Sequence, residues 1–156
     1  MGKWMSLMLV VMVSGCGPSE PQMREAARAK QNAEISLKVK ESFKDPDSAK
    51  VVIQQVFPLF DGQVACGTVN AKNSFGGYVG DHSFDVGINP DGSIGIPSIA
   101  RDERESLLKN AMCEFQKEYG SRPGNSGKQA TVQQASAFKT EYTKKVHDVV
   151  AALTPP

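Results

Sequence analysis

Ser83-Phe84-Asp85-Val86-Gly87-Ile88-Asn89-Pro90-Asp91-Gly92-Ser93-Ile94-Gly95-Ile96 is the stretch that decides the fold class. Phe84, Val86 and Ile88 alternate with small or polar residues, and Ile94 and Ile96 repeat the pattern. Successive strand side chains point to opposite faces, so each run presents one apolar face. Between the runs, Asn89-Pro90-Asp91-Gly92 brings together residues that make tight turns. Two alternating runs separated by a turn form an antiparallel unit.

Working outward, Lys50 to Phe57 and Gln63 to Ala71 read as two earlier strands with the hairpin signal Asp61-Gly62 between them. A third strand is expected from about Tyr78 to Ile88 and a fourth from Ser93 to Ile99. Helical stretches flank this meander. From Gln22 to Lys44 strong helix formers surround Ile35, Val39 and Phe43 at i, i+4, i+8, and Asp45-Pro46 ends the helix. Arg101 to Tyr119 carries Leu108, Ala111, Met112, Phe115 and Tyr119 at helical spacing, a stripe expected to pack in the core. Gln129 to Leu153 is a third helix with a thinner apolar face, either loosely docked or reserved for a partner. The expectation is an α+β fold, a three- or four-stranded antiparallel meander flanked by one N-terminal and two C-terminal helices, in a single domain over residues 22–153.

The chain has 156 residues, 40% of them hydrophobic and 22% charged, the balance of a globular protein. Its first fifteen residues read as a signal peptide. Lys3 is the positive end, Trp4 to Val13 an apolar run, and Val13-Ser14-Gly15-Cys16 follows directly. Such a run is too short to span a bilayer, which takes about 20 residues. Without Lys3, the basic residues balance the 17 Asp and Glu. Nucleic-acid binding, which calls for a basic excess, is therefore not expected.

Val13-Ser14-Gly15-Cys16 resembles the lipobox of bacterial lipoproteins, in which an apolar residue and two small ones precede a Cys. The resemblance implies cleavage after Gly15 and lipidation of Cys16, on its sulfur and on its new amino group, with palmitate-type chains. The other reading is an ordinary secretory signal followed by a chance Cys. Acyl chains contribute about 0.8 kcal/mol per buried CH2, so three of them anchor a protein permanently. In this family an Asp after the Cys retains the protein in the inner membrane. Gly17 stands there instead, which in a bacterium with two membranes implies the outer membrane, facing the periplasm. Residues 16–21 then form a tether, and the polar first half of the following helix reads as a stalk.

Export exposes Cys66 and Cys113 to an oxidising compartment, where a disulfide is the natural expectation and two separate thiols the alternative. On a helical wheel Cys113 falls away from the Leu108, Met112 and Phe115 stripe, so the bond requires a helix buried on both sides or bent. No Cys or His lies at ligand spacing from another, so no metal and no cofactor is expected.

The densest cluster of unusual residues is Cys66 to Tyr78. Asn70, Asn73 and Ser74 bond readily to backbone, and Gly76-Gly77 permit positive φ. One reading is a well-made turn. The other is an exposed loop whose Lys72, Asn73, Ser74, Phe75 and Tyr78 offer hydrogen bonds and aromatic area to another envelope or secreted protein. Lys44-Asp45-Pro46-Asp47-Ser48-Ala49, followed by Cys66-Gly67-Thr68-Val69-Asn70-Ala71-Lys72-Asn73-Ser74-Phe75-Gly76-Gly77-Tyr78, is similar to a group of small exported bacterial proteins sharing K-D-P-D-S-A and C-G-x-V-N-x-K-N-S-x-G-G-Y. That likeness covers about residues 36–88 and implies a shared domain without implying an activity. Ser74 to Tyr78 is also faintly similar to the Ser/Gly/Tyr loop of membrane-bound lysozyme inhibitors, which implies inhibition of a cell-wall-degrading enzyme through Asn70 to Tyr78. Those inhibitors are mainly β-barrels, unlike the mixed fold expected here.

Catalysis finds little support. Asp81, His82, Ser83 and Asp85 are near neighbours on one strand and point to opposite faces, so they do not assemble a triad. His147 beside Asp148 reads as the exposed flank of the third helix. Gly124-Asn125-Ser126-Gly127-Lys128 lacks the first Gly, the final Ser/Thr and the preceding strand of a phosphate loop. The reading is a non-enzymatic binding module.

Overall fold

A computed structural model describes residues 17–154. The expected leader, its lipobox and Cys16 lie outside the described residues, as do residues 155–156. The elements in order are α1 Glu20–Lys40, a 3-10 turn Pro46–Ser48, β1 Lys50–Leu59, β2 Gly62–Asn70, β3 His82–Ile88, β4 Ser98–Ile99, α2 Glu103–Ser121 and α3 Val132–Ala152. The strands lie side by side in the order β1-β2-β3-β4, every neighbour antiparallel. This is the expected α+β meander with one helix before it and two after.

Helix α1 starts inside the expected tether. The Gln22 Oε1 accepts from the Ser19 N–H at 2.8 Å, and Pro21 sits in the first turn, where its missing donor costs nothing. From Glu20 to Lys30 every residue is exposed, and full burial begins only at Ile35 and Val39. The helix stops at Lys40, short of the expected Lys44, because Ser42 and Phe43 donate to Val39 and Lys40 in tighter turns before Pro46.

Ile35 and Val39 cover one face of the sheet, packing with Ala65, Val69, Phe84, Val86 and Ile88. On the other face Phe57, Val64 and Cys66 meet Cys113 of α2. Beyond that, Met112, Phe115 and Tyr119 of α2 pack against Phe138, Tyr142 and Val146 of α3. The layers run α1, sheet, α2, α3. Helix α2 is therefore buried on two sides, which removes the helical-wheel objection: Cys66 and Cys113 form a disulfide with Cα atoms 6.5 Å apart.

A bulge in β1 serves both faces. Ile53 pairs with Gly67 and Gln55 with Cys66, so Gln54 is an extra residue. One extra residue reverses which side chains face which way. Val51 and Ile53 pack on the α1 side, whereas Phe57 and Leu59, of the same odd parity, pack on the disulfide side.

Four further sequence expectations need correction. Residues 78–81 are loop rather than the start of β3, with Gly80 at φ 100. The run from Ser93 does not form a full strand. Ile94 makes one bridge to Ile88, the Gly95 N–H turns back to the Gly87 carbonyl at 2.8 Å, and Pro97 has no donor, which leaves Ile96 91% exposed and β4 two residues long. The β1–β2 turn is centred on Phe60-Asp61, with Phe60 at φ 55, and Gly62 already belongs to β2. Helices α2 and α3 begin after their caps: Asp102 accepts from the Glu105 N–H at 2.7 Å, and Thr131 from the Gln134 N–H at 3.2 Å.

Candidate functional site

Beyond β2 the chain makes a closed turn that rests on the segment before β1. Ser48 is the junction. Its hydroxyl donates to the Asp45 carbonyl at 2.8 Å and accepts from the Lys72 N–H at 3.3 Å, while its carbonyl accepts from the Tyr78 hydroxyl at 3.3 Å. The K-D-P-D-S-A block and the K-N-S-F-G-G-Y block, separate in sequence, thus meet in space. Lys72 and Tyr78 bridge each other across the base of the turn. The Tyr78 ring has the Lys50 ammonium 4.6 Å and the Lys72 ammonium 5.7 Å from its centroid. Cation–π contact of this kind contributes about 0.5–1 kcal/mol where solvent reaches it.

Asn73 organises the tip. Its N–H donates to the Gly77 carbonyl at 2.8 Å and its carbonyl accepts from the Gly76 N–H at 3.0 Å. Its side-chain Oδ1 accepts from the Phe75 N–H at 3.0 Å and the Gly77 N–H at 3.1 Å. Gly76 takes φ 81, a conformation that a side chain at that position would strain. A short polar side chain closing its own backbone in this way is why Asn suits the position. The outcome is a turn in which the Asn73, Phe75, Gly76 and Gly77 amides are satisfied internally while Phe75 is 96% exposed.

The five sequence-selected residues therefore divide. Lys72, Asn73 and Tyr78 build the turn, whereas Ser74 and Phe75 face solvent. Phe43, Ser48 and Lys50 were not singled out as site residues, yet Ser48 and Lys50 hold Tyr78 and Phe43 lines the clefts on both sides of the turn. One cleft, of about 520 Å³, lies between Ser42–Asp45 and the turn. The other, of about 290 Å³, is lined by Phe43, Val79, His82, Ile99 and Arg101. The K-D-P-D-S-A block was the available signal: a proline-stopped helix followed by a Ser places a hydroxyl and a free carbonyl where a neighbouring turn can use them.

His82 opens the β3 strand, half-buried, with Nδ1 enclosed and without a hydrogen-bond partner among the described residues. The strand pleat separates it from its neighbours. Ser83 is buried on the other face, its N–H donating to the Ser106 hydroxyl at 3.1 Å, and Asp85 on that face pairs with Lys109 at 2.8 Å. His147 is exposed on α3. The Gly124 to Lys128 stretch ties helices together: the Asn125 side chain donates to the Tyr119 carbonyl at 3.1 Å, and the Gln134 side chain to the Gly124 carbonyl at 3.0 Å.

Comparison of the chain with protein-family models, with curated proteins and with solved structures finds no match.

Proposed function

We propose that the protein is a lipid-anchored envelope component whose domain is a non-enzymatic binding module, and that it takes hold of another envelope or secreted protein through the turn at Lys72 to Tyr78. The observation that carries this reading is Phe75, 96% exposed on a turn that Asn73 holds closed. An aromatic side chain gains most from leaving water, and a turn already ordered loses little freedom when it docks. Attachment follows from the lipobox reading of Val13 to Cys16, with Cys16 in the outer membrane and the domain in the periplasm. The all-exposed stretch of α1 from Glu20 to Lys30 would then hold the sheet off the bilayer by about 15 Å at the helical rise.

The test is a photo-crosslinking residue placed at Phe75 in intact envelopes, with the same residue at Val132, 89% exposed on α3, as the control. A discrete adduct from position 75 alone is expected. No adduct, or the same adducts from both positions, removes the reading. A second reading, inhibition of a lysozyme-type enzyme by insertion of this turn, is favoured by the exposed Phe75 beside Gly76-Gly77, which carry no side chains. Lysozyme turnover in the presence of wild type and Phe75→Ala separates the two.

A further inference from the structure

We infer that the cleft between α1 and β1 takes an extended peptide segment bearing an acidic side chain, which joins the sheet as an added strand beside β1. This site lies apart from the Phe75 turn and does not depend on it.

Among the described residues the sheet order leaves β1 with a single neighbour. β1 is ten residues long, its Pro58 end closed by the approach of Gly120 of α2, whereas the opposite edge, β4, has only two. An unpaired edge offers backbone donors and acceptors to any extended chain, and proteins use such edges for peptide recognition when a groove beside them selects side chains. Such a groove is present. Arg28, Gln31 and Asn32 of α1 form one wall and Ile53, Gln54 and Val56 of β1 the other, around a space of about 420 Å³. The Gln31 side chain donates to Gln63 at 2.8 Å and fixes the helix against the sheet.

Chemistry narrows the occupant. Arg28 is the one charged side chain lining the cleft and makes no ion pair among the described residues, although Arg24 and Lys30 on the same helix pair with Glu20 and Glu34. An acidic side chain on the incoming segment supplies the missing partner, and a guanidinium binds a carboxylate bidentately. The amides of Gln31, Asn32, Gln54 and Gln63 are neutral groups suited to peptide backbone. Val52 and Val56, 56% and 37% exposed, lie on either side of the bulge and so face opposite ways, matching β-branched residues on the two opposite faces of an added strand. The bulge at Gln54 and the donorless Pro58 interrupt the edge, so it suits a short segment rather than pairing along its whole length with a second copy of the chain.

The test uses displayed random heptapeptides selected on the folded domain, wild type and Arg28→Glu. Arg28 is exposed on a helix, so the exchange leaves the fold intact, which thermal unfolding verifies. Wild type is expected to select Asp or Glu between β-branched residues, and a synthetic copy of the selected peptide to move the amide resonances of Val52 to Val56. Arg28→Glu should weaken that peptide on the order of tenfold or more and select Lys or Arg instead, while Phe75→Ala leaves its affinity unchanged. Selection without an acidic preference, the same preference in Arg28→Glu, or resonance shifts confined to the 72–78 turn would overturn the inference.

Discussion

Cys66 of β2 and Cys113 of α2 are bonded across the face of α2 that is turned away from Phe115 and Tyr119. The bond closes a loop with a sequence separation of 47, and both half-cystines are buried beside Phe57 and Val64. A loop of that length constrains the unfolded chain by about 4 kcal/mol in the entropy model. Denaturant unfolding with and without reductant is therefore expected to separate by about 2–5 kcal/mol, the range for losing such a bond from a small exported domain. Cys66→Ala/Cys113→Ala should match the reduced protein. Equal stability of reduced and oxidised protein would show that the sheet and α2 hold together without the bond.

The close approach of α2 to β1 rests on Gly120. A Cβ at that position would collide with the Pro58 carbonyl oxygen, and the obstacle is backbone, so the helix itself has to move. Gly120→Ala is expected to cost about 1–3 kcal/mol despite alanine's better helix propensity. Gly87, in β3, has open space where its Cβ would be, so Gly87→Ala should be neutral or stabilise by about 0.5 kcal/mol. Thermal melts of the two variants read the contrast directly.

Alternation at Phe84, Val86 and Ile88 gave the strand and its buried face, and the turn at Asn89 to Gly92 gave its partner's direction. The same reasoning failed at Ile96, because period-two alternation carries no information about whether a neighbouring strand is there to pair, and Pro97 prevents pairing. Phe60 was unreadable for a related reason. An aromatic residue at φ 55 contradicts local preference, and what sustains it is tertiary: its ring lies 5.7 Å from Phe138 and 6.2 Å from Tyr119. The 72–78 turn was legible as a turn from its Asn and Gly content. That Tyr78 and Lys72 would support it while Phe75 protrudes was not, because the division depends on Ser48, which arrives from another part of the chain.

Alkaline pH should weaken the docking of α3. Burial of Tyr142 against Phe115 and Phe138 raises its pKa above the ordinary value of 10.0, and the negative charge of Asp85 adds to the shift. The folded state thus favours the neutral phenol. Its contribution is complete below the unfolded value, and as pH rises past it the unfolded chain ionises first, so stability falls until the folded phenol also titrates. Tm is expected to fall as pH rises through the ordinary phenol value of 10.0, and to fall less in Tyr142→Phe. Identical alkaline profiles would assign the loss to other groups.

Asn73 offers the most direct link between sequence and the proposed binding surface, since one side-chain oxygen accepts from both the Phe75 and Gly77 amides. Asn73→Ala removes both bonds at an exposed turn, where each is worth about 1 kcal/mol, so those two amides should exchange with solvent on the order of tenfold faster while Tm changes little. Asp at the same position keeps the acceptor and should preserve the protection. If Phe75 binds as a preordered side chain, the adduct formed from position 75 will weaken in Asn73→Ala and persist in Asn73→Asp. Faster exchange with an undiminished adduct would mean that Phe75 finds its partner without the turn being held, and that the exposed ring alone carries recognition.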